Sequence, residues 1–320
     1  MSLPTDDQIK TKNLLIERFI AEPVTVVKKN IADVIGQLGK LLIPQQQWPE
    51  LFQLVFTYTQ SEDLVQKELA MQLLSVMVEY FSASEISTYY DQLNPIIKQY
   101  LQSDQASLKR LAVTTVNNLT QTGHGTKVLK QYPDLIPLVL NAIDISQEDL
   151  IKTIFETLTD CFDVKKVLRP HLAILVDAAV NLSKNTEMSL NVRSTTLFFL
   201  EQLGENFGKA LIKKDSGRIQ QIIECGCIIA SEDDSAYADD NENPHELALE
   251  MLNNYACELP NEAAYAMFKP AIVNLCSSQD DPLKRRAGLR IMGTVCDSDA
   301  LLDPIKDDVE LFTDIIIRGL

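Results

Sequence analysis

Three histidines and six cysteines are the residues of this chain best suited to proton transfer, nucleophilic attack or soft-metal binding. His124 lies in a Gly123-His124-Gly125 turn, and His171 and His245 each open an apolar-periodic stretch. Nothing in their spacing brings the three together, and a lone histidine at such places is read as a capping or surface residue. Cys225-Gly226-Cys227 offers two thiolates, but no second Cys or His pair stands at zinc-finger spacing to complete four ligands. The cysteines Cys161, Cys225, Cys227, Cys257, Cys276 and Cys296 lie mostly on apolar stripes, where buried free thiols are the default in a reducing compartment. The chain has no nucleophile elbow, P-loop, dinucleotide-binding glycine pattern, metalloprotease helix or kinase signature. The expectation is therefore a binding protein that is not an enzyme, with no catalytic, metal or cofactor-binding residue to assign.

What the sequence does offer is negative charge. Its 45 acidic residues against 29 basic ones leave a net charge of −16. A nucleic-acid surface needs clustered Lys and Arg, so this balance argues against one and favours basic partners. The acids crowd most tightly between Ser231 and Asn243, S-E-D-D-S-A-Y-A-D-D-N-E-N, a stretch with no Lys, no Arg and no aliphatic residue larger than alanine. Such a segment cannot bury itself. Glu232, Asp233, Asp234, Asp239 and Asp240 are accordingly candidate contacts for a basic partner, although a solvated linker would have the same composition.

The elements that must carry these charges follow from a pattern that returns seven times. Its clearest copies start at Val27, Val65, Leu108 and Val192, and weaker ones at Leu150, Pro244 and Leu283. The fifth residues, Ile31, Leu69, Ala112, Ile154, Thr196, Ala248 and Ala287, are spaced by 38, 43, 42, 42, 52 and 39. Two-helix solenoid repeats of the HEAT type have a period of about 40 to 47 residues. The expected fold is all-α, an α-α superhelix of HEAT repeats in one continuous array of about seven helix pairs and a final helix. The repeats fall at about 5–43, 44–82, 84–123, 127–164, 166–213, 216–260 and 261–300, with the last helix in 301–320. Outer A helices are expected at 6–20, 46–60, 85–101, 127–143, 166–183, 217–230, 262–276 and 302–318, and the repeated patterns are the inner B helices. The acidic stretch at 231–243 lies between an A helix and its B helix, which accounts for the spacing of 52.

Prolines punctuate this plan. Pro170, Pro270 and Pro304 fall near first turns of A helices, while Pro95 and Pro137 sit inside them and predict a kink or a late start. Trp48, beside Pro49, is read as an inter-repeat packing residue. No apolar stretch approaches the ~18 residues of a membrane span, and the first residues lack a signal-peptide pattern, so the chain is expected to stay inside the cell.

Positions two and six beyond each anchor share one B-helix face. They read Asp33, Gln37, Met71, Ser75, Thr114, Asn118, Glu156, Asp160, Phe198, Gln202, Glu250, Asn254, Leu289 and Gly293, with no Lys or Arg among them. This row is expected to form a polar, mildly acidic inner wall that receives basic segments. Asp33, Asn118, Glu156, Asp160, Gln202, Glu250 and Asn254 are its candidate contacts, and an ordinary solvated face is the alternative.

Several segments together resemble the importin-β (karyopherin-β) family. They are V-K-K-N-I-A-D-V-I-G-Q-L-G-K at Val27, W-P-E-L-F-Q-L-V-F at Trp48, K-E-L-A-M-Q-L-L-S-V-M-V-E at Lys67, G-K-A-L-I-K-K at Gly208 and K-R-R-A-G-L-R-I-M-G-T-V at Lys284. The acidic insertion ahead of P-H-E-L-A-L-E-M-L at Pro244 looks most like the importin-four branch. The resemblance implies a fragment of a longer nuclear import receptor that shuttles between cytoplasm and nucleus. Its implied partners are basic cargo such as ribosomal proteins and histones, the GTPase Ran for cargo release, and nucleoporins, with no nucleic acid and no membrane insertion. A HEAT-repeat scaffold subunit that assembles an enzyme complex is the alternative from another class.

Overall fold

The computed structural model describes residues 5–42, 45, 47–81, 83–121, 129–130, 132–233, 243–297 and 305–319. The chain forms two compact units, Met1–Ile143 and Asp144–Leu320. The first holds α1 (Thr5–Ala21), α2 (Thr25–Leu42), α3 (Pro49–Thr59), α4 (Leu64–Met77), α5 (Ala83–Leu101), α6 (Ala106–Gln121) and α7 (Leu135–Asn141). The second holds α8 (Glu148–Asp160), α9 (Leu172–Lys184), α10 (Leu190–Lys214), α11 (Ser216–Ala230), α12 (Pro244–Glu258), α13 (Asn261–Cys276), α14 (Pro282–Asp297) and α15 (Val309–Gly319). Short helical turns join α8 to α9. Among the described residues there is no strand.

Within each unit the helices stack as pairs in two layers. In the first unit the B helices α2, α4 and α6 pack in succession, and α3 and α5 each lie on their own B helix. In the second, α8, α10, α12 and α14 form the B layer while α9, α11 and α13 form the A layer. This is the all-α, helix-pair solenoid architecture expected from the repeat.

The anchors explain the stacking. Ala112, Ile154, Thr196, Ala248 and Ala287 have no exposed surface, Leu69 is buried, and Ile31 alone is partly open. Small residues beside them let neighbouring B helices approach closely. A Cβ added at Gly204 on α10 would lie 2.8 Å from the ring of Tyr255 on α12, and one at Gly36 on α2 would lie 2.7 Å from Val76 Cγ1 on α4. Tyr255 then donates its hydroxyl to the Leu200 carbonyl at 2.8 Å, which satisfies the one polar atom of a fully buried ring. Phe155 on α8 meets Phe199 on α10 edge-on at 5.1 Å, so aromatic contacts also run from one repeat to the next.

The sequence period reappears in the polar contacts. Tyr100 Oη donates to the Thr59 carbonyl 41 residues earlier, and the Ser189 amide donates to Glu148 across the same interval. Arg218 pairs with Asp177, again 41 residues apart, and Lys269 with Asp308 across 39. Hydrogen bonds therefore tie equivalent places of adjacent repeats, as the nearest-neighbour energetics of a solenoid require.

Three local expectations change. Pro270 lies deep inside α13, not in its first turn. Met71 and Ser75, on α4, are buried and are not part of an open row. The A helix expected at 127–143 is interrupted: residues 129–130 are helical, a turn lies at 133–134, and α7 starts at Leu135, which puts Pro137 in its first turn, where a missing amide hydrogen costs little. Pro95 stays within α5, and Trp48 is buried at the N-terminal boundary of α3. His124 and Pro304 lie outside the described residues.

Candidate functional site

The B-helix faces carry the acids that the anchor register placed there, together with acids it did not. In the first unit, Asn118 of α6 donates from Nδ2 to the Ser75 carbonyl and to Glu79 Oε1, both at 2.8 Å. Partial burial raises the Glu79 carboxyl above its usual range, Asp33 raises it further, and Lys29 partly offsets the two. Asp33 and Asn118 are thus brought into one cluster by Glu79, which follows α4 and lies outside the anchor-based row.

The second unit repeats the arrangement. Asn254 of α12 donates to Glu205 Oε1 of α10 at 2.8 Å, as Asn118 does to Glu79. Glu201, one turn before Glu205, is pushed up by burial and then by the charges of Glu205 and Glu250. On α8, Asp160 is raised by burial and then by Glu156. Gln202 is half-buried beside Glu201, and Phe198, 49% exposed, is an apolar surface on the same helix. Lys152 is the cation nearest Glu156, at the 4.0 Å limit on an exposed i,i+4 pair that contributes little. Glu201 and Glu205 were missed because the chosen register sampled two positions per helix. Their i,i+4 spacing on the longest B helix was the signal that could have found them.

Carboxylates that raise one another are under-neutralised, and a cation placed among them is favoured electrostatically. That is the chemistry this face can do: it can hold Lys or Arg side chains of a partner.

The acidic insertion is different in kind. Glu232 is not a free steering charge: both of its oxygens accept from Arg193 Nη2 at 2.7 Å. Arg193 is only 1% exposed and also donates from Nε to the Ser183 carbonyl at 2.8 Å. A buried arginine must be paired, so Glu232 is consumed by the fold. Asp233 is exposed, whereas Asp234, Asp239 and Asp240 lie outside the described residues. At the other end Asn243 caps α12, its Oδ1 accepting from the His245 amide at 3.0 Å.

His245 is buried against Arg290 rather than at the surface, and His171 is half-buried in a short helical turn. Burial pushes the thiols of Cys161, Cys225 and Cys227 up to about 12, which makes them inert at neutral pH. Among the described residues no group of three His, Cys, Asp or Glu is placed to hold a metal ion, and no helix is long and apolar enough to cross a membrane.

Comparison with known proteins adds to this geometry. The fold is similar to that of the karyopherin Kap121p, whose crystal structure aligns with 98% of this chain at a TM-score of 0.80 and 18% identity. Kap121p bound to RanGTP aligns at 0.79 and Kap121p bound to Pho4p at 0.78, each at 18% identity over 98% of this chain. At that identity the likeness is one of fold. The chain spans 31% of the length of each of these structures. Residues 23–178 match a family model described as IPO5-like, TPR repeats. No curated protein sequence matches the chain significantly.

Proposed function

We propose that this chain is part of a karyopherin-β nuclear transport receptor whose B-helix faces bind extended basic segments of cargo. The observation that carries the reading is the under-neutralised face of α8, α10 and α12, where Glu156, Asp160, Glu201, Glu205 and Glu250 outnumber the cations. The family match over 23–178 and the karyopherin fold support it. Glu156, Asp160, Gln202, Glu250 and Asn254 in the second unit, and Asp33 and Asn118 in the first, are the proposed contacts. Gln202 and the two asparagines hold the carboxylates in place or accept hydrogen bonds, and the acids hold the cations.

Kap121p has been crystallised with RanGTP and with Pho4p, which supports Ran-regulated release of cargo by the complete receptor. Ribosomal proteins and histones are the proposed cargo, nucleoporins the proposed further partners, and shuttling between cytoplasm and nucleus the proposed localisation. The acidic insertion ahead of Pro244 is our reason for favouring the importin-four branch.

Fluorescence anisotropy of a lysine-rich peptide tests the site. Binding is expected to weaken as salt rises, because exposed charges are screened beyond ~8 Å at physiological ionic strength. Glu156→Gln combined with Glu250→Gln is expected to weaken binding and flatten its salt dependence. Unchanged affinity in that variant, or a parent indifferent to salt, would remove the B-helix face as the cargo surface.

A further inference from the structure

The most basic motif of the chain, K-R-R-A-G-L-R from Lys284, stands out against a net charge of −16. The structure shows where each cation goes. Lys284 pairs with Asp281 at 3.3 Å, and Arg285 donates to the Ser278 and Gln279 carbonyls at 2.9 and 2.7 Å, so these two close the turn before α14. Arg286 and Arg290 reach elsewhere. Arg286 Nη2 donates to the Glu232 carbonyl at 3.3 Å, at the start of the acidic insertion. Arg290, one turn further along the same face, donates to both oxygens of Glu246 at 2.8 Å. Its other terminal nitrogen lies 3.2 Å from His245 Nδ1, just past the end of the insertion. Arginine has only donors, so Nδ1 is the accepting atom of this contact.

The start of the insertion and the first turn of α12, which follows it, therefore both sit on α14, and the start of the insertion is also gripped by the buried Arg193 of α10. We infer that Arg193, Arg286 and Arg290 clamp Glu232 at the start of the acidic insertion and the first turn of α12 beyond it, and that the clamp staples three successive helix pairs, α9/α10, α11/α12 and α13/α14, at a fixed spacing. The nearest-neighbour contacts of a solenoid link one pair to the next, and each such link yields separately. At Glu232 two such links meet. Its carboxylate holds the pair before its own while its carbonyl holds the pair after, so one residue spans three pairs. Whatever draws Glu232 out of this position loosens all three together. Glu232 is thus a conformational latch between the three pairs.

Amide hydrogen exchange of the full chain tests the latch. Glu232→Gln removes the grip on Arg193, and Glu224→Gln, on the exposed face of α11, removes the same charge without touching the clamp. Arg286→Gln with Arg290→Gln removes the seat on α14, and Lys284→Gln with Arg285→Gln is its charge-matched control on the same helix. In both clamp variants exchange is expected to rise several-fold at once in the first turns of α10, at the start of α12 and in the first turns of α14. The controls should raise it only near their own sites. If Glu232→Gln fails to fold, the arginine pair and its control decide the matter alone. A rise confined to the insertion and its flanks would make the arginines a local tether and overturn the staple. Equal changes in clamp and control variants, or none in either, would overturn it as well.

Discussion

Arg193 and Glu232 show how much one pair can matter where charge is buried. Arg193 lies in the interior of the second unit, and its partner is the second residue of a segment whose composition otherwise suits a solvated loop. Glu232→Ala leaves that arginine buried without its carboxylate and is expected to destabilise the protein by about 3–5 kcal/mol, read by thermal or denaturant melting. Replacing both members with Met should recover most of the loss, because the charge itself is what is costly to bury. A neutral effect of the single change would mean that Arg193 finds water or another acceptor. Glu201 supports a second prediction. Its carboxyl is raised, so the folded state binds a proton more readily than the unfolded chain, and this group's contribution to stability falls as pH climbs through its titration. A bound lysine or arginine favours the charged form and draws the pKa back down. Affinity for a basic peptide should therefore be full at neutral pH and fall as pH drops through a window lying above the ordinary glutamate range. Glu201→Gln should remove that part of the pH profile, measured by anisotropy, and an unaltered profile would place the titrating group elsewhere.

Between helices the controlling variable is the room left at the crossing. Gly204 and Gly36 are small because the next B helix puts a tyrosine ring or a valine methyl where a Cβ would go. Ala112 and Ala287 are small too and have no exposed surface. Gly204→Ala, Ala112→Leu and Ala287→Leu are each expected to cost about 1–3 kcal/mol through overpacking, measured by melting. Parent-like melting in all three would mean that the B helices separate more easily than their packing implies. The repeat register was legible at this level because burial follows the 3.6-residue period of an isolated helix. Met71 and Ser75 escaped it: both are buried on α4, although the same positions of α10 and α12 leave Phe198 and Glu250 open. The start of α7 was legible only as an ambiguity, because Pro137 is compatible with either a kink or a late helix.

The molecule as a whole consists of two compact units built from the same helix-pair module, Met1–Ile143 and Asp144–Leu320. A chain shortened after Leu259 loses α13, α14 and α15 but keeps the stack from α8 to α12. It should remain strongly helical by circular dichroism and melt cooperatively, because stability in such arrays is mostly a sum over neighbours. Its midpoint should lie below the parent's, since Arg286 and Arg290 go with the removed helices. A random-coil spectrum would show that long-range contacts dominate instead.

Sequence by itself determined the module, its period and its sign of charge, because burial periodicity, anchor size and acid–base balance are properties of the local chain. It also put Glu156, Asp160 and Glu250 on B helices, for their side-chain direction follows from helix geometry. Tertiary structure alone decided which acids are spoken for. Glu232, in a stretch that reads as free, is locked to an arginine 39 residues away. Glu201 is raised by its burial and then by Glu205 and Glu250, and the basic run at Lys284 is spent on the fold. Electrostatic partners are chosen by distance in space, and for Arg193 and Arg290 the paired carboxylate belongs to a different repeat.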